Sequence, residues 1–267
     1  MANNEINIQY FPSPDSAGIS LSRTNYSYFE YPRHFHDHYT IQLTEAGVNE
    51  GFTEKLSYKT GPGDILMINP ADLHAGKSLH KSALAFWTIR IEPWWLQEFC
   101  NQNELPSDPN FTTRPISDLD LVQSIKRSMI MLMQHQVIEF EEHLQEWLAC
   151  LISRHAQSTC NIKPDYQPNR VEIGHQFLQD NYHQNLSLKQ IADAASLSPY
   201  HFLRQFKKTY GLSPLQYLRN VRVEKAKKML HETNLTQVAQ QVGFYDQSHL
   251  TRNFKRIEGT APSLTRS

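Results

Sequence analysis

No hydrophobic run in this 267-residue chain approaches the roughly 20 apolar residues that a membrane-spanning helix needs. The opening stretch, residues 1–9, is polar and lacks the apolar centre of a secretory signal. Cysteine is scarce: Cys100, Cys150 and Cys160 cannot all pair, and their spacing fits no zinc pattern. These absences argue against a membrane protein and against a disulfide scaffold, so a reduced cytoplasm is expected. Net charge is almost missing too, at −1. That balance hides a division. From Arg170 onward 14 Lys+Arg face 7 Asp+Glu, a charge of +7, whereas residues 1–169 carry −8. Only the second half is expected to meet a polyanion.

The basic half contains the same unit twice. Moved along by 48 residues, His201, Arg204, Phe206, Lys207, Gly211 and Pro214 land on His249, Arg252, Phe254, Lys255, Gly259 and Pro262. Ala192 lies 14 residues before Phe206 and Ala239 lies 15 before Phe254, so the second copy has one residue more in its turn. Each copy reads as helix, tight turn, helix. In the first, Lys189–Ala195 leads, Ser196-Leu197 turns, and Ser198 caps a helix with Pro199 at its first position. Phe202 and Phe206 form its buried stripe, and Gly211 ends it. In the second, Val242-Gly243-Phe244 turns, Asp246 caps, and Leu250 and Phe254 face inward. This is the geometry of helix-turn-helix modules, whose second helix enters the major groove. Pro214 begins a long helix to about Glu232, with Leu215, Leu218, Arg222, Ala226, Met229 and Leu230 as its apolar-facing stripe. It joins the two modules without a break.

Arg204 and Arg252 are the candidates for base-edge contact, because a guanidinium fork matches guanine O6 and N7. Tyr200, Leu203, Gln247, Ser248 and Thr251 share the outer faces of the two reader helices. Lys207, Lys208, Lys255 and Arg256 are placed to hold phosphates, which position rather than specify.

The acidic half is β in texture from Tyr31 to Ile91. Tyr39–Leu43 alternates, Gly61-Pro62-Gly63-Asp64 turns, and Ile65–Ile68 and Ala83–Ile91 read as strands, which suggests a sandwich or small barrel. Strand alternation puts His34, His36, His38, Thr40 and Gln42 on one face, with His74 further along. On the last strand the inward set is Phe86, Thr88 and Arg90, or else Trp87 and Ile89. Arg90 suits an anionic group on a ligand. Ser117 is expected to cap a helix with the stripe Leu121, Ile125, Met129 and Leu132, followed by a second helix over Glu139–His155 carrying Leu144, Trp147, Leu148, Leu151 and Ile152. Residues 157–169 hold two X-Pro pairs and no apolar periodicity, the pattern of a linker.

The stretches Ile191-Ala192, Ser198, Leu203-Arg204-Gln205-Phe206-Lys207 and Gly211-Leu212-Ser213-Pro214, followed by Val238-Ala239, Gly243-Phe244, Asp246, Ser248 and Phe254-Lys255, resemble the AraC-type DNA-binding domain over Val171–Pro262. The tyrosine-arginine pair usual after the final proline reads Ser263-Leu264 here, which predicts a weaker last helix. The histidines, Gly63-Asp64-Ile65-Leu66, Asn69-Pro70 and His74 resemble the amino-terminal sensor domain of the same family and, more broadly, a cupin. The resemblance implies an α+β chain of two domains. A cupin-like β-barrel with two following helices (1–156) serves effector binding and dimerisation. A linker (157–169) then leads to an all-α double helix-turn-helix domain (170–267). It further implies a transcription regulator, an activator in the commoner case, that takes double-stranded DNA, a small-molecule effector and RNA polymerase as partners and works as a homodimer. The expected effector contacts are His36, His38, Gln42, His74, Thr88 and Arg90. No cofactor, catalytic residue or metal is expected, since Gln42 stands where a cupin enzyme has its acidic ligand. The alternative is a metal-dependent cupin enzyme with an accessory DNA-binding tail.

Overall fold

A computed structural model of the chain describes residues 6–11, 18–53, 56–79, 83–158, 169–230 and 233–264. Contacts divide the chain into two compact units, residues 1–30 with 36–161, and residues 31–35 with 162–267. No helix among the described residues is long and apolar enough to cross a membrane.

Among the described residues the chain opens with strands β1 (Asn7–Phe11), β2 (Ile19–Tyr26), β3 (Glu30–His34), β4 (Tyr39–Ala46), β5 (Asn49–Thr53), β6 (Ser57–Thr60), β7 (Ile65–Ile68), β8 (His74–Ser78) and β9 (Leu84–Ile91). Helix α1 (Pro93–Gln102) and two short strands, β10 (Pro109–Phe111) and β11 (Pro115–Ile116), lead to helices α2 (Leu119–Met133) and α3 (Val137–His155) and to strand β12 (Ala156–Ser158). A six-stranded sheet runs β1-β2-β9-β4-β7-β11, and β8, β5 and β6 pair in that order in a second sheet.

The registers decide which residues share a face. Leu21 and Ile41 both pair with Ile89, and Leu43 pairs with Trp87. This row forms one core with Leu96 and Phe99 of α1, Ile125 and Met129 of α2, and Leu144, Trp147 and Leu151 of α3. The long sheet thus buries its apolar face under the helices, as pleating requires when alternate residues point opposite ways. Within the helical layer the Trp147 indole donates to Ser128 Oγ at 3.1 Å, so this fully buried N–H is satisfied.

Three expectations shift. The strand expected to carry His34 through Gln42 is broken: β3 stops at His34, the chain bends at residues 37–38, and β4 begins at Tyr39. The cap of α2 is Asp118 rather than Ser117. Its carboxylate accepts from Leu121 N at 3.2 Å and from Arg154 at 3.1 Å, and lies 3.1 Å from His155 Nε2. That set, led by the His155 bond, holds the Asp118 carboxyl below its ordinary value. Gln157 and Ser158, read as linker, instead pair with Asn110 and Pro109 in β12. Most of the remaining linker falls on residues 159–168, outside the described ones.

Among the described residues from 169 onward the regular structure is helical: α4 (Arg170–Asp180), α5 (Leu188–Ala194), α6 (Pro199–Tyr210), α7 (Pro214–Met229), α8 (Leu235–Gln241) and α9 (Gln247–Glu258), then a single 3₁₀ turn at Pro262–Leu264. That one turn is all that follows the final proline among the described residues. Along α7 the buried side is Tyr217, Leu218, Val221, Arg222 and Ala226, while Leu215 is 39% exposed and leaves the expected stripe.

Candidate nucleic-acid interface and ligand face

Both helix-turn-helix modules are built from local signals. Ser187 and Gln190 form a capping box at α5, and Ser198 Oγ accepts from His201 N at the start of α6. Asn234 and Asp246 do the same for α8 and α9, accepting from Gln237 N at 2.9 Å and His249 N at 2.6 Å. Gly211 and Gly259 end the reader helices at φ 66° and 77°, the left-handed region that glycine enters without a Cβ clash.

The two turns correspond residue by residue in hydrogen bonding and backbone sign until one point. Leu197 N donates to Ala192 O at 3.0 Å, and Phe244 N donates to Ala239 O at 2.8 Å. The residue before each has positive φ, Ser196 at 52° and Gly243 at 88°. The caps then follow at Ser198 and Asp246, so the extra residue of the second copy is Tyr245. It is 90% exposed and stands directly before the second reader helix. The sequence marks the extra residue by its spacing but not which residue it is.

The reader helices bury Phe202 and Phe206 in α6, and Leu250, Asn253, Phe254 and Ile257 in α9. Tyr200 (76% exposed), Arg204, Lys207, Lys208, Gln247, Ser248, Arg252 and Lys255 are exposed, and Leu203 and Thr251 are half-buried. Gln247 is steadied by α8, its Oε1 accepting from Thr236 Oγ1 at 3.1 Å. Among the described residues no carboxylate engages Arg204 or Arg252. Two planar, always-charged forks are therefore exposed with no salt-bridge partner among the described residues.

In the first unit the other face of the long sheet is polar. Thr40 and Ser20 pair with Arg90, Gln42 and Ser22 with Thr88, and Thr44 and Thr24 with Phe86. Residues directly opposite each other share a face, so Gln42, Thr88 and Arg90 lie side by side, on the side away from Trp87 and Ile89. Ser22, Thr24, Thr40, Thr44 and Thr88 are nevertheless buried. The second sheet faces them: Tyr58 of β6 packs with Leu66 and Ile68 of β7, and Asn49, Thr60 and Ser78 are buried in one paired row. Arg90 Nη1 donates to Ser22 Oγ at 3.1 Å. The buried hydroxyls of Thr40, Thr60 and Ser78 have no hydrogen-bond partner among the described residues. Leaving a buried hydroxyl unpaired costs about 1–3 kcal/mol. Three of them on two facing sheets mark a surface suited to a polar guest.

The histidines converge without the strand that was expected to align them. The bend at residues 37–38 stacks His36 on His38, ring centroids 4.8 Å apart, and His74 lies 5.1 Å from His36. His74 Nδ1 is 2.8 Å from Asp72 O, which fixes its ring. Asp37, His38 and Glu92 each bring one potential ligand atom within 4.8 Å of the others. Gln42, at the cupin acidic-ligand position, is instead on the polar face opposite Thr88 and Leu66.

Residues 16–162 match the family described as the AraC-like ligand binding domain, and residues 191–267 match a helix-turn-helix domain family. The chain is 29% identical to the uncharacterized HTH-type transcriptional regulator YbfI of Bacillus subtilis, covering 83% of this chain and 82% of that one. It is 24% identical to the HTH-type transcriptional activator RhaS of Escherichia coli, covering 96% and 94%. Among solved structures ToxT of Vibrio cholerae aligns over 92% of this chain and 97% of its own, with a TM-score of 0.57 at 13% identity, a likeness of fold.

Proposed function

Because the chain belongs to the AraC family of transcriptional regulators, with a ligand-binding domain followed by a helix-turn-helix domain, we propose how this member reads DNA and what it senses. Sensing and dimerisation belong to residues 1–158, which end with β12, the connection to 159–169, and DNA binding to 170–267. The observation that carries the proposal is the pair of capped reader helices, each presenting one unengaged arginine. Arg204 and Arg252 contact base edges. Tyr200, Leu203, Gln247, Ser248 and Thr251 complete the two reading faces. Lys207, Lys208, Lys255 and Arg256 hold phosphates. The similarity to RhaS, a transcriptional activator, supports activation; RNA polymerase as a partner, homodimer formation and a cytoplasmic setting complete the proposal.

The effector binds on the polar inner face, against Gln42, Thr88 and Arg90, with His36, His38 and His74 at its margin. Its chemistry follows from that lining. Hydroxyls without partners, a carboxamide and a guanidinium favour a small molecule that both donates and accepts hydrogen bonds. The protein acts as a regulator and not as an enzyme, because Gln42 withholds the carboxylate that a cupin metal site uses.

Arg204→Ala is expected to cost about 1–3 kcal/mol on the operator and little on random DNA. Lys207→Ala weakens both alike and flattens the salt dependence by about one unit of slope. Titrations on the two DNAs at several salt concentrations separate the roles, and equal losses for Arg204→Ala would make it a phosphate contact.

The protein purified without chelators is expected to hold no stoichiometric metal. His36→Ala and His74→Ala lose the effector response while keeping basal DNA affinity. Elemental analysis that finds one tightly held iron, manganese or zinc per chain would restore the enzyme reading.

A further inference from the structure

Arg222 sits on the buried side of α7, only 9% exposed, and no carboxylate among the described residues pairs with it. Its donors go to main chain. Nε donates to Tyr182 O and Nη2 to Gln184 O, both at 2.7 Å, and both acceptors lie in the loop between α4 and α5. The guanidinium carbon also stands 5.8 Å from the centre of the Phe244 ring, which belongs to the second turn. Burial first, and then the like charge of Arg219, lower its proton affinity from the ordinary value. A cation is held here at some cost, and its contacts join the entry of the first module to the turn of the second.

Two further observations place the same three pieces together. A Cβ built on Gly243 would lie 2.7 Å from His183 O and 2.9 Å from Tyr182 O, so the second turn runs directly against that loop. Tyr182 packs on the core of the second module, beside Val223, Phe244 and Leu250, with Lys225 Nζ 5.8 Å over its ring. Along the chain, α7 alone connects the modules. In space a second connection runs parallel to it.

We infer that Arg222 is a positioning residue that fixes the spacing of the two reader helices, by tying the α4–α5 loop to the Gly243–Phe244 turn. This rests on the reading that each module contacts its own half of one DNA site. Two modules held at the spacing of their site bind as one unit, whereas loosened modules lose the advantage of the second contact and gain tolerance of altered spacing.

The test uses the full-length chain and a site obtained by selection against the wild type. Probes carry the complete site, each half alone beside random sequence, or the complete site with one base pair added between halves. For Arg222→Met, affinity for the complete site is expected to fall about tenfold or more, while each half probe changes less than about twofold. The penalty for the added base pair shrinks relative to wild type. Arg222→Lys, which keeps the charge but not the two-pronged geometry, falls between. Gly243→Ala disturbs the same junction from the other side and gives the same pattern, which covers the case in which Arg222→Met does not fold. Equal losses on complete and half probes would make Arg222 a general support of the fold and overturn the inference. So would unchanged binding to the complete site. A wild type that binds half and complete sites equally would sink the two-module reading, and the inference with it.

Discussion

Adding one full turn of DNA, about 10 base pairs, between the two halves of a single chain's site is expected to reduce binding to the level of one half. Groove phase is preserved by that insertion, so only distance changes. Helix α7 is 16 residues long, about 24 Å at the usual rise, and it contains no internal glycine or proline to bend at. Its start is set by a capping box of Ser213 and Gln216, with Pro214 at the first position. The reader helices therefore cannot separate by a further turn, about 34–36 Å. One chain should read an asymmetric site of about 17–21 base pairs, its halves in head-to-tail order. The same insertion between the sites of two paired chains should leave much of the binding, as the linker-like sequence that follows β12, residues 159–169, predicts. Competition assays on the two insertion series check this. Tolerance of both would mean that α7 is no strut.

Phe206→Ala and Phe254→Ala should be the most damaging single truncations in the DNA-binding half, each costing about 3–5 kcal/mol. Both rings are fully buried, Phe206 against Phe202 and Tyr217 and Phe254 among Val238, Val242 and Leu250. A domain has only about 5–15 kcal/mol in total, so either change removes a large share of it. Leu215→Ala, on an exposed position of α7, should cost less than about 0.5 kcal/mol. All four tryptophans, Trp87, Trp94, Trp95 and Trp147, precede residue 157. Tryptophan fluorescence then follows the first domain and should be unchanged in these variants, while far-ultraviolet circular dichroism follows the loss of helix. Unfolding of both domains together would show that the halves do not fold independently.

What the sequence made legible was local. Caps at Ser198 and Asp246, stops at Gly211 and Gly259, and the spacing of Phe202 from Phe206 are all signals within one helix, and each helix formed where they placed it. What it left open depended on partners far along the chain. Alternation could not tell whether Thr88 or Trp87 faced inward, because β9 is covered on both sides and parity alone names no face. It also ran smoothly through His34–Gln42, where the chain bends instead. Arg222 read as one more member of a helical stripe, since its acceptors lie 40 and 38 residues upstream.

The pleat of the long sheet has a consequence for descent as well as for folding. Leu21 and Ser22, or Trp87 and Thr88, are chain neighbours with unrelated duties, one set in the helix-covered core and the other turned to the polar interior. An exchange at Ser22, Gln42 or Thr88 alters what the interior can hold, while every residue under the helices keeps its neighbours. A gene copy could therefore drift from one effector to another through single changes, each passing through a folded, DNA-binding protein. On the proposed reading, the domain that meets the effector is built so that a change in its interior need not be repaired under the helices.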